Sequence, residues 1–184
     1  MRIIAGTARS LPLKTIEGMD TRPTTDRIKE TLFNMLQSYL ADCTFLDLFA
    51  GSGAIGIEAL SRGAERAVFV EQSPEAVRCI RENLNHTKLM EGAQVYQCDV
   101  LEGIRRAELE GMVFDVVFMD PPYRQEHEHR VLEYLAQSRV IYEDTLIVVE
   151  AALETEFDYI TDLGFELVRT KRYKTNQHVY LRLR

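Results

Sequence analysis

The residues best suited to chemistry in this chain are Asp120-Pro121-Pro122-Tyr123, which follow an apolar run, Val116-Val117-Phe118-Met119, that reads as a buried strand ending at a loop. An acid, a carbonyl preceding a proline and an aromatic ring together suit a planar amino group, such as the exocyclic NH2 of a base. The lone pair of such a nitrogen is delocalised and attacks poorly. Hydrogen bonds from the NH2 to the Asp120 carboxylate and the Pro121 carbonyl would draw it toward a tetrahedral, nucleophilic geometry. Pro122 offers no amide hydrogen and restricts Pro121 to an extended backbone, which fixes where that carbonyl points. Tyr123 can stack on the base face. The plain alternative is a rigid turn without chemistry. No Ser/His/Asp or cysteine nucleophile constellation accompanies the tetrad, and no metal ligand set is expected.

A second group of residues lies upstream. Phe45 to Gly56 holds a G-x-G-x-x-G pattern, Gly51, Gly53 and Gly56, between a strand and a helix. Alone, this pattern is most familiar from dinucleotide sites. Glu71, twenty residues past Gly51, falls where an acid grips ribose hydroxyls. Asp47 helps to separate the cofactor classes, the plain alternative being a strand-end acid that caps nearby amides. A dinucleotide sets its pyrophosphate over the glycine turn and helix N-terminus, and a carboxylate four residues upstream of Gly51 opposes that anion. S-adenosylmethionine (SAM) has no phosphate and brings a sulfonium and an ammonium, which an acid suits. Asp99, ending the strand at Gln94–Cys98, could accept from an adenine amino group, or could simply cap the next helix. Asp47, Phe49, Gly51, Gly53, Glu71 and Asp99 are therefore the candidate cofactor residues, and SAM is the favoured cofactor.

The elements that must position these residues alternate. Strands are expected at 44–49, 66–71, 93–98, 114–119 and 144–150, and helices at 54–62, 74–86, 100–109, 127–137 and 153–162. Phe165–Tyr173 and Gln177–Leu183 read as a closing antiparallel pair. The expected fold class is α/β: a Rossmann-like, mainly parallel seven-stranded sheet with helices on both faces and an antiparallel last strand. Arg2–Ile4 and Leu13–Ile16 are short strand candidates, and a helix is expected to start near Pro23. The expectation is a single domain over 1–184, with a basic N-terminal arm at 1–29 and a catalytic core at 30–184. His127 and His129 are expected to face solvent or phosphate. No apolar run is long enough for a membrane span, no secretion signal is visible, and Cys43, Cys79 and Cys98 suggest reduced thiols and a cytoplasmic protein.

Net charge is −7, but it is segregated. Residues 1–29 carry six Lys/Arg against three acids, residues 169–184 carry six with none, and the stretch between therefore carries −16. Two basic ends on an acidic body suggest a phosphate footprint; solvated termini are the alternative.

Together these motifs resemble the class I SAM-dependent methyltransferases. Arg2-Ile3-Ile4-Ala5-Gly6 and Arg22-Pro23-Thr24-Thr25-Asp26-Arg27-Ile28-Lys29-Glu30-Thr31-Leu32-Phe33-Asn34 narrow the likeness further. With Asp47–Gly53 and Asp120–Tyr123, they resemble the RsmD-type 16S ribosomal RNA guanine-N2 methyltransferases over the whole chain. The resemblance implies methylation of a guanine N2 in 16S rRNA of a partly assembled small subunit; a monomer is expected, and ribosomal proteins are candidate further partners. It implies SAM contacts from Asp47, Gly51, Gly53, Glu71 and Asp99, guanine contacts from Asp120 to Tyr123, and closure by Arg22–Arg27. Arg2, Arg22, Thr25, Arg27, Arg182 and Arg184 are the candidate RNA contacts. The competing functions are an adenine-N6 or glutamine-N5 methyltransferase, a nicotinamide-dependent oxidoreductase and a non-catalytic RNA-binding module.

Overall fold

The computed structural model describes residues 1–16, 26–122 and 127–184. Seven strands form one sheet: β1 (Thr44–Leu48), β2 (Arg66–Glu71), β3 (Ala93–Gln97), β4 (Val116–Met119), β5 (Leu146–Ala152), β6 (Phe165–Arg172) and β7 (Asn176–Leu183), in spatial order β3-β2-β1-β4-β5-β7-β6. The first five are parallel, and β7 runs antiparallel to both of its neighbours. Order reverses between β1 and β4, and such a switch point opens a crevice at the carboxyl ends of the strands.

The helices are α1 (Asp26–Leu36), α2 (Ala54–Ser61), α3 (Pro74–Thr87), α4 (Val100–Leu109) and α5 (His127–Gln137). Because successive strand residues point to opposite faces, the central strands feed two cores. Phe45, Phe69, Phe118 and Val148 meet α1, α2, α3 and the arm residues Ile3, Ala8 and Leu13. Leu46, Val68, Val117 and Val149 meet α4 and α5. Burial on both faces is why β1, β2, β4 and β5 read as near-continuous apolar runs. Among the described residues no helix is long and apolar enough to cross a membrane.

Two expected elements differ. The helix expected at 153–162 is only a short 3-10 turn, Asp158–Ile160. Its sequence mixes β-branched and aromatic residues with four acids, which favours helix weakly, and Gln177 instead bonds the carbonyls of Ala152 and Thr155 at 3.0 Å each. The two N-terminal strand candidates reduce to one antiparallel bridge, Arg2 to Pro12. Ile3 and Leu13 donate to the carbonyls of Leu11 and Met1 across this bridge, and amides between them turn to α2. Ile4 and Ala5 donate to the Glu58 carboxylate at 2.9 and 3.1 Å, and Thr7 and Ala8 donate to Ser61.

Glu58 is the hub of that attachment. It is fully buried and pairs with Lys29, also fully buried, at 3.1 Å, and with Arg62 at 2.8 Å. Lys29 also donates to the Arg2 carbonyl at 2.6 Å. Burial lowers the Lys29 pKa, and the Glu58 carboxylate opposes that shift. Removing one partner of a buried pair leaves the other uncompensated, at a cost of about 3–5 kcal/mol. Glu58→Ala is therefore expected to lower the unfolding free energy by about that much in urea titrations, whereas truncating the exposed Glu65 should cost under about 0.5 kcal/mol.

Candidate active site

At the end of β1 the backbone turns sharply. Phe49 adopts φ 58°, uncommon for a bulky residue, and the chain crosses toward β2, where the Ala50 amide donates to the Val70 carbonyl at 3.1 Å. The next amide, Gly51, donates to Glu71 Oε2 at 2.9 Å, and Glu71 Oε1 accepts from Ser73 at 2.8 Å. One carboxylate thus ties the glycine turn to the start of α3. Gly51 lies at φ 55° with nothing within 4 Å of where a side chain would stand, so the turn borders open space. Gly56 serves another purpose. A Cβ there would sit 2.4 Å from the Phe69 ring, so only glycine lets α2 lie this close to the sheet.

That close approach buries Asp47. Its Oδ2 accepts from the Gly56 amide at 2.9 Å, and the side chain is 1% exposed. Burial raises its pKa to about 8, the Gly56 hydrogen bond opposes the rise, and the Glu71 carboxylate adds to it. A buried acid this hard to ionise is stabilised by an incoming cation and destabilised by an anion. The donor set at the turn therefore fits a sulfonium- and ammonium-bearing ligand and opposes a pyrophosphate. Asp99 caps α4, with Oδ1 accepting from Leu101 at 2.9 Å, so the capping reading holds for that oxygen.

Asp120 lies one residue beyond β4, on the same sheet face as Phe118 and Asp47. Its carboxyl pKa is raised well above the usual range, first by burial, then by Glu150 and then by Asp47. Pro121 is buried and Pro122 exposed. Among the described residues no backbone amide donates to the Pro121 carbonyl. Tyr123, Arg22 and Thr25 lie outside the described residues.

The structure adds side chains that the sequence reading missed. Glu150 of β5 accepts from Asn176 at 2.6 Å and pairs with His178 Nε2 at 3.0 Å, and Tyr173 lies 3.3 Å from His178 Nδ1. Their only sequence signal is polarity inside otherwise apolar strands. Asn83, polar on the apolar face of α3, is a second case: its amide donates to the carbonyls of Lys14 and Ser52 at 3.1 and 3.0 Å, fastening the arm to the glycine turn. His127 and His129 do not simply face solvent. They are half-buried, with ring centres 6.0 Å from Phe49 and 4.1 Å from Tyr159 respectively.

Arg182 and Arg184 are not brought to this site. β7 begins beside the end of β5 and finishes beside its start, so both arginines lie at the opposite end of the sheet from Asp120. Arg182 is moreover engaged there, donating to the Tyr39 hydroxyl with its guanidinium over the Tyr39 ring. Arg2 pairs with Asp26 at 3.3 Å at the start of α1, beside the exposed Arg27.

A model of the family described as Conserved hypothetical protein 95 matches residues 1–182. The chain belongs to that family. Ribosomal RNA small subunit methyltransferase D (RsmD) of Haemophilus influenzae is 37% identical over 93% of this chain and 88% of its own length. YlbH of Bacillus subtilis, a candidate rRNA methyltransferase, is 40% identical over 94% of this chain and 92% of its own. Among solved structures, the candidate methyltransferase YhhF of Escherichia coli superposes with a TM-score of 0.87 at 32% identity, covering 100% of this chain and 97% of that one. The sheet order and the crevice at the β1/β4 switch are thus those of an RsmD-family protein in the class I methyltransferase fold.

The Asp47 shift fixes a pH dependence. The unfolded chain releases this proton near pH ~3.9, whereas the folded, ligand-free protein holds it to about 8. Across that window the folded state binds the extra proton, so this residue's contribution to stability is present at low pH and lost as pH rises toward 8. Ligand-free Asp47→Asn is expected to lose less stability than the wild type between those limits, as measured by urea unfolding at stepped pH. Parallel curves for the two proteins would remove Asp47 as the source.

Proposed function

We propose that this chain transfers the methyl group of SAM to the exocyclic N2 amine of a guanine in small-subunit ribosomal RNA. The observation that carries the reading is the placement of Asp120 and Pro121 at the β1/β4 switch point, on the sheet face that holds Asp47 and beside the turn that Glu71 fastens. The names of the RsmD relatives support the RNA and the subunit. The guanine N2 follows from the likeness of the N-terminal block and the tetrad.

Bound at the turn, SAM supplies an electrophilic methyl on a sulfonium. Asp47 and Glu71 offset its positive charges and hold the glycine turn in shape. Asp120 and the Pro121 carbonyl accept from the target NH2 and aim its lone pair. Positioning of this kind accounts for much of the rate of a displacement that needs no covalent enzyme intermediate. Residues brought to the same end of the sheet also suggest how RNA is met. Lys171 pairs in register with His178 and Arg172 with Gln177, so β6 carries its cations toward the site, with Lys174 in the following turn. These three residues, with Arg2 and Arg27, replace Arg182 and Arg184 as the favoured phosphate contacts.

Incubation with labelled SAM and small-subunit particles lacking the modification, followed by nucleoside digestion, should place label in N2-methylguanosine. Label in N6-methyladenosine, or only in DNA or protein, would end the reading. Asp120→Ala should lower turnover about 10²–10³-fold with SAM affinity nearly unchanged. Glu71→Ala should instead weaken SAM binding about 10–100-fold, the loss of a charged hydrogen bond of about 1.5–3 kcal/mol.

Replacing Lys171, Arg172 and Lys174 by alanine should weaken RNA binding. The slope of log affinity against log salt should become shallower by about 0.7–0.9 for each phosphate no longer neutralised. Arg182→Ala with Arg184→Ala should leave that slope nearly unchanged. The reverse pattern would move the RNA to the far end of the sheet.

A further inference from the structure

Glu150 sits where the sheet register brings it level with Asp120. Met119 and Val149 are paired neighbours on β4 and β5, and Asp120 and Glu150 are the next residue on each. On its other side Glu150 pairs in register with His178 of β7. Glu150 is 5% exposed, Asn176 5% and His178 0%, so the cluster lies inside the protein. Its hydrogen bonds have one consistent direction. Asn176 Nδ2 donates to Glu150 Oε1, and His178 Nε2–H donates to Oε2. His178 Nδ1 is then an acceptor for the Tyr173 hydroxyl. Phe118 closes one side of the imidazole, edge to face at 6.2 Å, and the Tyr173 ring closes another at 5.0 Å.

A carboxylate held this deeply is more than β5 and β7 need for pairing, since their ladder already runs from Ile147–Leu181 to Ala152–Asn176. Buried polar groups are costly unless partnered, and here Asn176 and His178 of β7 converge on one acid, with Tyr173 behind His178. Besides its own donors, Glu150 acts on Tyr173 and on Asp120, whose carboxyl it makes harder to ionise, after burial and ahead of Asp47.

We infer that Glu150, fixed by Asn176 and by His178 with Tyr173 behind it, is a positioning residue whose carboxylate beside Asp120 makes Asp120 the acceptor of the proton released by the methylated amine. The inference rests on the methyl-transfer reading of Asp120. In the reaction the amine nitrogen forms a bond to the methyl carbon, the carbon–sulfur bond breaks, and its electron pair stays on sulfur. The nitrogen is left cationic with a surplus proton. Asp120 faces a positive charge throughout, first on sulfur and then on nitrogen, and its carboxylate takes the N–H proton to become a neutral acid. Among the described residues, Glu150 of β5 and Asp47 of β1 are the acidic groups that act on Asp120, and His178 of β7 is turned to Glu150. Together they oppose two adjacent free carboxylates once the ligand's charge is gone, and this favours protonation of Asp120 over return of the proton.

The test begins without ligand. Aspartate carboxyl carbons are labelled, the Asp120 resonance is assigned with Asp120→Asn, and its titration is followed by NMR. In Glu150→Gln the Asp120 midpoint should fall by at least about one pH unit. The acid limb of the methylation rate should move to lower pH in the same direction. At the pH optimum kcat should drop about tenfold while KM for SAM stays within about twofold. Glu150→Asp, which keeps a carboxylate but draws it back by one methylene, should lower the Asp120 midpoint by a smaller step; if Glu150→Gln does not fold, that smaller fall relative to wild type carries the test. An Asp120 midpoint unmoved in both variants, with stability alone reduced, would overturn the inference and make the cluster a stitch between strands. Because this titration needs no substrate, a shift found in a protein that labels some other amine would sustain the role of Glu150 and remove only the guanine reading.

Discussion

Asp47, Asp120 and Glu150 share one face of the sheet at its carboxyl end, and the architecture around them is arranged to tolerate that crowding. Among the described residues, none of the three forms an ion pair with a lysine or arginine. Asp47 is stabilised by an amide of α2, which requires Gly56, and Glu150 by a side-chain amide and an imidazole from β7, which require the antiparallel return of that strand. Asp120 is left with raised proton affinity at the end of β4. Crowded buried acids are unfavourable in an empty site and become favourable when a cation enters. The difficulty of folding them and the affinity for a cationic ligand therefore have one origin.

A different buried ion cluster secures the other side of the crevice. Glu58 gathers two amides of the arm, Lys29 of α1 and Arg62 beside its own helix, while Asn83 of α3 holds Lys14 against Ser52. The arm is thereby fixed to the same helix and turn that shape the cofactor side. This gives a physical reason for the particular N-terminal sequence: Ile3, Ala8 and Leu13 fill core, and the backbone between them supplies donors to Glu58 and Ser61.

Legibility in the sequence followed range. The parallel strands were readable because burial on both faces leaves apolar runs, and the glycine turn because three glycines at fixed spacing have few uses. Asp47, Glu71 and Asp120 were readable because each lies in or just past a strand beside such a turn. The segment at 153–162 misled because its acids and apolar residues can be fitted to a helical period, although its propensities are poor and Gln177 holds the chain in turns. Glu150, Asn176 and His178 were unreadable as a unit because only strand register, set 26 and 28 residues apart, brings them together. Arg182 and Arg184 lie away from the site for a related reason: a basic run along an antiparallel strand spans the sheet, and only its beginning reaches the end that holds Asp120.

Strand direction also reconciles the overall acidity with the proposed RNA substrate. Surface charges act over about 8 Å at physiological ionic strength, so local sign matters more than the total of −7. Asp47 and Glu150 are buried and Asp120 half-buried, and Asp47 and Asp120 hold their protons more tightly than usual, which weakens the repulsion they present to phosphate. Lys171 and Arg172 stand on an edge strand at the same end of the sheet, with Arg2 and Arg27 at the start of α1. A phosphate backbone crossing between those positions would meet cations at both sides of the crevice while a base enters toward Asp120. The interior that suits a cationic ligand thus leaves the rim free to bind a polyanion.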